Sequence, residues 1–187
     1  IKGINSYWFP FLNFVMRKDF LFVFFVLFLG GKLNAQILSE NFESYSVGDY
    51  MGVVSPDWTT WSGTTGGEED VQVSDLNAFS GTKSIYFQTT PSEPFGGPQK
   101  VLVPFDEVYS SGEFSFEMKL FVESGQGAFF SFQYAADYYY TFLSCAFYQD
   151  ETMVIKNGGD ELINTTYSAD TWFTLGFNVD LNTNDWE

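Results

Sequence analysis

Four aromatic residues lie in polar segments of this chain, where their rings could bind a sugar. Trp58 and Trp61 lie either side of two threonines, and Tyr138 and Tyr139 follow Asp137. An exposed aromatic ring stacks on the apolar face of a pyranose, and tyrosine adds a hydroxyl. Because residues three apart in an extended segment face opposite sides, we expect one of the two tryptophans to be buried. The four rings are the candidate ligand-binding residues, and packing in the core or at its rim is the alternative for each.

Carboxylates near both ends of the sequence are candidate ligands for calcium, which takes about six to eight oxygen ligands. Glu43 and Asp49 bracket the first passage from strand to loop, and a further acidic cluster, residues 68–70, lies in the next loop. Asp180 lies near the end of the sequence, where the chain could return beside the first strand. No EF-hand loop is present. We predict a structural calcium site with Glu43, Asp49 and Asp180 as ligands, and the alternative is ordinary solvated loop carboxylates.

The nucleophile and base chemistry of most hydrolases is missing from this sequence. It contains no histidine, which excludes a Ser-His-Asp triad and a histidine-ligated zinc site within these residues. The single cysteine, Cys145, lies in the apolar stretch 142–147 and cannot form an internal disulfide. A buried thiol is the ordinary interpretation of such a position. A catalytic thiol, the alternative, normally needs a histidine base.

Strong acidity restricts the partners of this protein. The chain has 24 acidic and 8 basic residues, a formal net charge of −16. Such a surface repels a phosphate backbone, so nucleic acid is excluded as a partner, and anionic lipid headgroups are disfavoured for the same reason. Neutral sugars, cations and basic partners remain open. Acidity also keeps an exported protein soluble, which is the simpler explanation of the charge.

The N-terminal region has the organisation of a secretory signal peptide. Met16 and two basic residues precede the apolar run Phe20–Leu29, and Ala35 precedes the polar Gln36. A run of this length is too short for a membrane span, which needs about 20 apolar residues. We therefore predict a signal peptide at 16–35, a secreted or cell-surface location and no stable membrane span in the mature chain. Residues 1–15 are interpreted as a non-native or mis-called extension, or else as a genuine amphiphilic extension.

Residues 36–187 have the size of one domain and a pattern of short strands. Apolar residues alternate with polar ones along 114–120, as in a strand with one buried face. Similar short runs occur at 71–73, 84–88, 100–105, 128–134, 140–148, 153–156 and 172–181, with Gly- and Pro-containing turns between them. Asn157-Gly158 suits a tight hairpin turn. The pattern predicts an all-β, antiparallel sandwich, and we expect the sequence to break off within it at its C-terminal end.

Several short motifs of this domain follow one another in a recognisable order: Asn41–Tyr45, Val47–Asp49, Trp58–Ser62, Gly66-Gly67, Glu69-Asp70, Val73-Ser74, Ala78, Ser80-Gly81 and Lys83-Ser84. In type and order they resemble the concanavalin A-like, laminin-G-like jelly-roll domain of secreted bacterial proteins that use type IX secretion, and the resemblance covers about residues 38–187. It implies a two-sheet jelly roll whose members mostly bind glycans or tether other modules. Related domains often hold a structural calcium near the position of Glu43 and Asp49.

Glycosidases on the same fold carry two carboxylates and a central aspartate on one strand. The nearest match here is Glu113 to Glu117, with Ser115 at the place of the aspartate. The polar residues of this strand alternate with phenylalanines, as in an ordinary strand with one face in solvent. We therefore predict no catalytic residue.

Our prediction is a secreted, non-catalytic binding module for polysaccharide or another cell-surface component. Two alternatives stay open: an accessory domain of a glycoside hydrolase or lyase, whose enzymatic part would lie elsewhere in a longer chain, and a structural or adhesive spacer without a small ligand. The sequence leaves the oligomeric state open.

Overall fold

The computed structural model describes residues 36–88, 97–133, 141–183 and 185–186. The fold below belongs to the compact unit Ile37–Glu187. The predicted extension 1–15, the predicted signal peptide 16–35 and the candidate residues Tyr138 and Tyr139 lie outside the described residues. Within the described ranges, no helix is long and apolar enough to cross a membrane.

The described residues form eleven strands and one single-turn helix, α1, at Met51–Val54. The strands are β1 Thr59–Thr60, β2 Gln72–Ser74, β3 Ser84–Tyr86, β4 Val101–Leu102, β5 Glu113–Leu120, β6 Ala128–Gln133, β7 Thr141–Phe147, β8 Thr152–Asn157, β9 Asp160–Thr166, β10 Phe173–Asp180 and β11 Asp185–Trp186. This confirms the all-β prediction. The turn of helix was not predicted, because four residues are too few to show a helical period.

Antiparallel pairing joins the strands into four sheets. The largest has the order β6-β7-β8-β9, and a second has the order β11-β10-β5. The other two are the pairs β1-β4 and β2-β3. The predicted hairpin is present between β8 and β9, and the pairing of Asn157 with Asp160 leaves Gly158 and Gly159 as the turn. Its turn residues therefore lie one position beyond the predicted Asn157-Gly158.

Strand β5 shows why the alternating sequence forms a strand with two different faces. It pairs along its whole length with β10, so that Phe116 lies opposite Phe177 and Met118 opposite Leu175. These side chains share the inner face of the sheet. The intervening polar residues, from Glu113 to Lys119, lie on the outer face, because successive side chains of a strand point to opposite sides.

The inner faces of the two larger sheets share one hydrophobic core. Its buried members are Val122, Cys145, Phe147 and Leu175. Phenylalanines from both sheets meet there: Phe116 of β5 stacks on Phe130 of β6 with the ring centroids 5.1 Å apart. Burial raises the pKa of the Cys145 thiol to about 11, as expected for a thiol that packs as a small apolar group. A second cluster contains Met51, Val71 and Val73, with Trp58 among the partly buried residues packed against it.

Replacement of a core phenylalanine should destabilise the fold far more than replacement of one on the outer face. Phe147 is completely buried, whereas Phe129 on the neighbouring strand β6 is 49% exposed. We expect Phe147→Ala to lower the free energy of unfolding by about 3–5 kcal/mol and Phe129→Ala by less than about 1 kcal/mol. Urea unfolding followed by circular dichroism measures both. Equal losses would contradict the assignment of the two faces.

Candidate functional site

The two candidate tryptophans flank strand β1 and have different surroundings. Trp58 packs against the second core cluster and makes an edge-to-face contact with Phe42, with ring centroids 6.2 Å apart. Its indole nitrogen is buried and has no hydrogen-bond partner in the described part of the chain. Trp61 is half-buried, and its backbone amide donates to the carbonyl of Lys100 at 2.9 Å. Both tryptophans are partly buried, so the expectation that one of them is buried is wrong. Trp58 is a packing residue, and Trp61 is the candidate that lies in a polar loop.

The loop that follows Trp61 is held by a buried carboxylate. Asp70 is only 1% exposed. Its Oδ1 accepts hydrogen bonds from the amides of Gly52 at 3.1 Å and Val71 at 2.8 Å, and its Oδ2 accepts from the amide of Gly66 at 2.9 Å. One side chain thus ties helix α1, the loop and the start of β2 together. A side chain at position 52 would come within 2.9 Å of the carboxylate and 2.6 Å of Thr65, so glycine is needed there.

A second acidic residue fixes the same loop from the solvent side. The carboxylate of Glu69 accepts from the amide of Ser62, with distances of 3.1 and 3.3 Å to its two oxygens. Hydrogen bonds from Ser62 hold the pKa of Glu69 below its usual value. The carbonyl of Glu69 accepts from the amide of Lys100 at 2.8 Å. The residues that bond to one another around Trp61 therefore carry a carboxylate (Glu69), a hydroxyl (Ser62) and an ammonium group (Lys100).

Glu43, a predicted calcium ligand, connects the first segment to the turn before β3. Its Oε1 accepts from the amides of Thr82 and Lys83, both at 2.8 Å, and its Oε2 accepts from the Thr82 hydroxyl at 3.1 Å. These hydrogen bonds, the Thr82 amide foremost, lower the pKa of Glu43. Gly81 has a φ of 68°, and a Cβ there would lie 2.5 Å from the Glu43 carboxylate. Glycine is thus required beside this clamp.

The other two predicted calcium ligands also bond to backbone amides of their own loops. Asp49 accepts from the amide of Ser46 at 2.7 Å. Asp180 accepts from the backbone and side-chain nitrogens of Asn182 at 2.8 and 2.7 Å, which lowers its pKa. Asp180 pairs with Glu113 of strand β5 on one side and with Asp185 of strand β11 on the other.

Among the residues that the structure describes, no three acidic, histidine or cysteine side chains converge on a point that could hold a metal. Glu43, Asp49 and Asp180 are thus not brought together as one set. Calcium binding by these residues stays a prediction.

The carboxylates of β5 lie on the outer face of their sheet. Glu117 is 2.8 Å from the ammonium of Lys119 and lies across from Gly176. Lys119 in turn donates to the hydroxyl of Thr174 at 2.7 Å. Glu117 thus belongs to an exposed polar network, as its alternation with phenylalanine predicts.

Comparison of the chain with protein-family models, with curated proteins and with solved structures found no match. The resemblance to concanavalin A-like domains therefore stays a prediction.

Removal of the Asp70 charge should loosen the Trp61 loop. Asparagine keeps the shape of the side chain but replaces one acceptor oxygen with a donor, so that at least one of the three amides loses its partner. We expect Asp70→Asn to lower the free energy of unfolding by about 1–3 kcal/mol and to speed amide hydrogen exchange at Gly66. Glu68→Gln, at an exposed neighbouring position, is the control. An Asp70→Asn protein as stable as the control would contradict the role of Asp70.

The Glu43 clamp should make the stability of the fold depend on pH. Its folded pKa lies below the ordinary value of 4.5, so its contribution is complete above pH 4.5 and is lost as the pH falls through the folded pKa. We expect Glu43→Gln to reduce stability at pH 7 and to flatten the loss of stability below pH 4.5. Urea unfolding from pH 7 to pH 3 measures this. Parallel curves for the two proteins would contradict the clamp.

Proposed function

We propose that residues 36–187 form an exported, non-catalytic module that binds a neutral carbohydrate through the loop that carries Trp61. In this proposal the domain is a two-sheet jelly roll of the concanavalin A-like type. The antiparallel sheets and their shared phenylalanine core support that architecture. The predicted signal peptide supports secretion to the cell surface or beyond, where polysaccharides are the common neutral polymers.

The half-buried Trp61, placed in a loop fixed from several sides, is the observation on which the proposal rests. Its amide bonds to Lys100, and the residues after it are held by Glu69 and Asp70. A binding loop that is ordered before the ligand arrives loses less conformational entropy on binding. The indole ring supplies a stacking surface, and Ser62 and Glu69 supply groups that bond to sugar hydroxyls.

Charge supports a neutral ligand rather than an acidic one. With a net charge of −16 over the chain, an anionic polysaccharide would be repelled at low salt. Among the described residues, Lys100 bonds to this loop through its backbone, and its charge adds to the larger effect of the Ser62 hydrogen bonds in lowering the pKa of Glu69. Calcium remains a proposed structural cofactor, and Tyr138 and Tyr139 remain proposed contacts.

Replacement of Trp61 should remove binding without unfolding the protein. We expect Trp61→Ala to weaken binding to a neutral polysaccharide by at least about tenfold, because a stacked aromatic residue is a typical hot spot. Affinity electrophoresis through gels that contain a β-glucan, a xylan, a mannan or an α-glucan measures the change. Alginate serves as the acidic comparison.

The control variant is Phe79→Ala, which removes a ring that is 53% exposed and lies outside the loop. Unchanged retardation of Trp61→Ala would overturn the proposed site. Failure of the unsubstituted protein to bind any of the neutral polymers would overturn the proposed function and favour the structural or adhesive spacer.

A further inference from the structure

A recess of about 280 Å³ lies where the chain crosses from β9 to β10. It is separate from the Trp61 loop, since it is lined by residues of β8, β9, β10 and the connection between β9 and β10. Its volume is at the lower end of the range for small-molecule sites in proteins. A single sugar ring is a ligand of suitable size.

The floor of the recess is apolar and fixed by core packing. Met153, Tyr167, Phe173 and Leu175 line it, and Leu175 is only 6% exposed. The rings of Tyr167 and Phe173 have centroids 5.7 Å apart and planes inclined by 40°. The Tyr167 hydroxyl donates to the carbonyl of Tyr148 at 2.8 Å, which anchors that ring. The floor therefore offers aromatic carbon that need not rearrange when a ligand binds.

The rim of the recess supplies polar groups without charge. Thr166, Ser168 and Thr171 line it and are exposed, and their hydroxyls make no hydrogen bond within the described part of the chain. None of the lining residues is charged, although the sequence has 24 acidic residues. Each hydroxyl can both donate and accept, which matches the hydroxyls of a sugar.

Acidic residues lie beside the Tyr167 side of the recess. Asp150 and Glu151 are near enough to Tyr167 to raise the pKa of its hydroxyl, in addition to the larger effect of burial. No lining residue is charged, and the nearest cation on the opposite side is Lys119, whose ammonium donates to the hydroxyl of the lining residue Thr174 at 2.7 Å. A cation would find no carboxylate ligand there. An uncharged ligand with hydroxyl groups and an apolar face fits both the floor and the rim.

We infer that this recess is a second carbohydrate subsite. One neutral sugar unit lies over the rings of Tyr167 and Phe173, and the rim hydroxyls form hydrogen bonds with the polar groups of the sugar. The inference rests on the proposed function as a carbohydrate-binding module. It concerns a different surface from the Trp61 loop, so the two sites can be tested apart.

Methionine methyl groups report on the two regions separately. The described residues contain Met51 in the second core cluster beside Trp58, and Met118 and Met153 in the main core, of which only Met153 lines the recess. The chain is labelled with ¹³C-methyl methionine and titrated with neutral oligosaccharides cut from the polysaccharide that it binds, and with glucose, xylose and mannose. We expect the Met153 methyl resonance to shift with increasing sugar, because Met153 lines the recess.

Ser168→Trp fills the recess from an exposed position, so it should abolish the sugar-induced shift of the Met153 resonance. Retardation of this variant by the polysaccharide gel should persist, because that binding depends on Trp61. Leu162→Trp adds the same ring at an exposed position of β9 that neither lines the recess nor pairs with Met153, and it should leave the Met153 shift intact. The Met118 resonance checks that each variant is folded.

Two results would overturn the subsite. One is a Met153 resonance that stays unmoved by every sugar in a protein that is retarded by the polysaccharide through Trp61. The other is a Met153 shift that persists in Ser168→Trp. Failure of the proposed function is distinguishable, because gel retardation would then be absent from the unsubstituted protein as well.

Discussion

The packing of phenylalanine rings between the two larger sheets is the interaction on which the rest of the structure depends. Phe116 contacts Phe130, Phe132 and Phe177, with ring centroids 5.1–5.2 Å apart. With one cysteine in the sequence, no internal disulfide can assist this core. Apolar burial must offset the conformational entropy of ordering the strands, and the aromatic content of 21% supplies large side chains for it.

Acidic side chains have a second structural role, at the ends of the loops. Glu43, Glu69, Asp70 and Asp180 each accept hydrogen bonds from backbone amides. A carboxylate has two oxygens with several lone pairs, so it can satisfy more than one amide at a turn where no strand partner is available. Part of the acidity that the composition shows is therefore used to hold loops in place, the Trp61 loop among them.

The longer strands could be predicted from the sequence because their signals are local, whereas the two-residue strands β1 and β11 were not predicted. The alternation of Phe114 to Leu120 with polar residues defines β5, and the turn glycines near Asn157 define the β8–β9 hairpin. The helix α1 is one turn long and leaves no periodic pattern. Interactions between distant residues could not be predicted, since Glu43 bonds to Thr82, 39 residues away, and Asp70 to Gly52, 18 residues away.

The features of the candidate site also divide into those that could be predicted from the sequence and those that could not. Its aromatic residues were visible from their types and spacing. The expectation that one of the two tryptophans is buried was wrong, because both are partly buried. The buried role of Asp70 was not visible, because its position in an acidic run resembles that of an exposed loop residue. The recess beside Tyr167 has residues of three strands and a connection around it, so no contiguous motif marks it.

The most direct test of carbohydrate binding is the thermal unfolding midpoint of the protein with each neutral polysaccharide, with calcium and with a chelator. A ligand that binds only the folded state raises the midpoint by mass action. We predict a rise with at least one neutral polysaccharide and no release of reducing ends. A midpoint that no polysaccharide changes, or a release of reducing ends, would contradict the account. A rise with calcium alone would also contradict it, because the domain would then be a metal-stabilised structural unit.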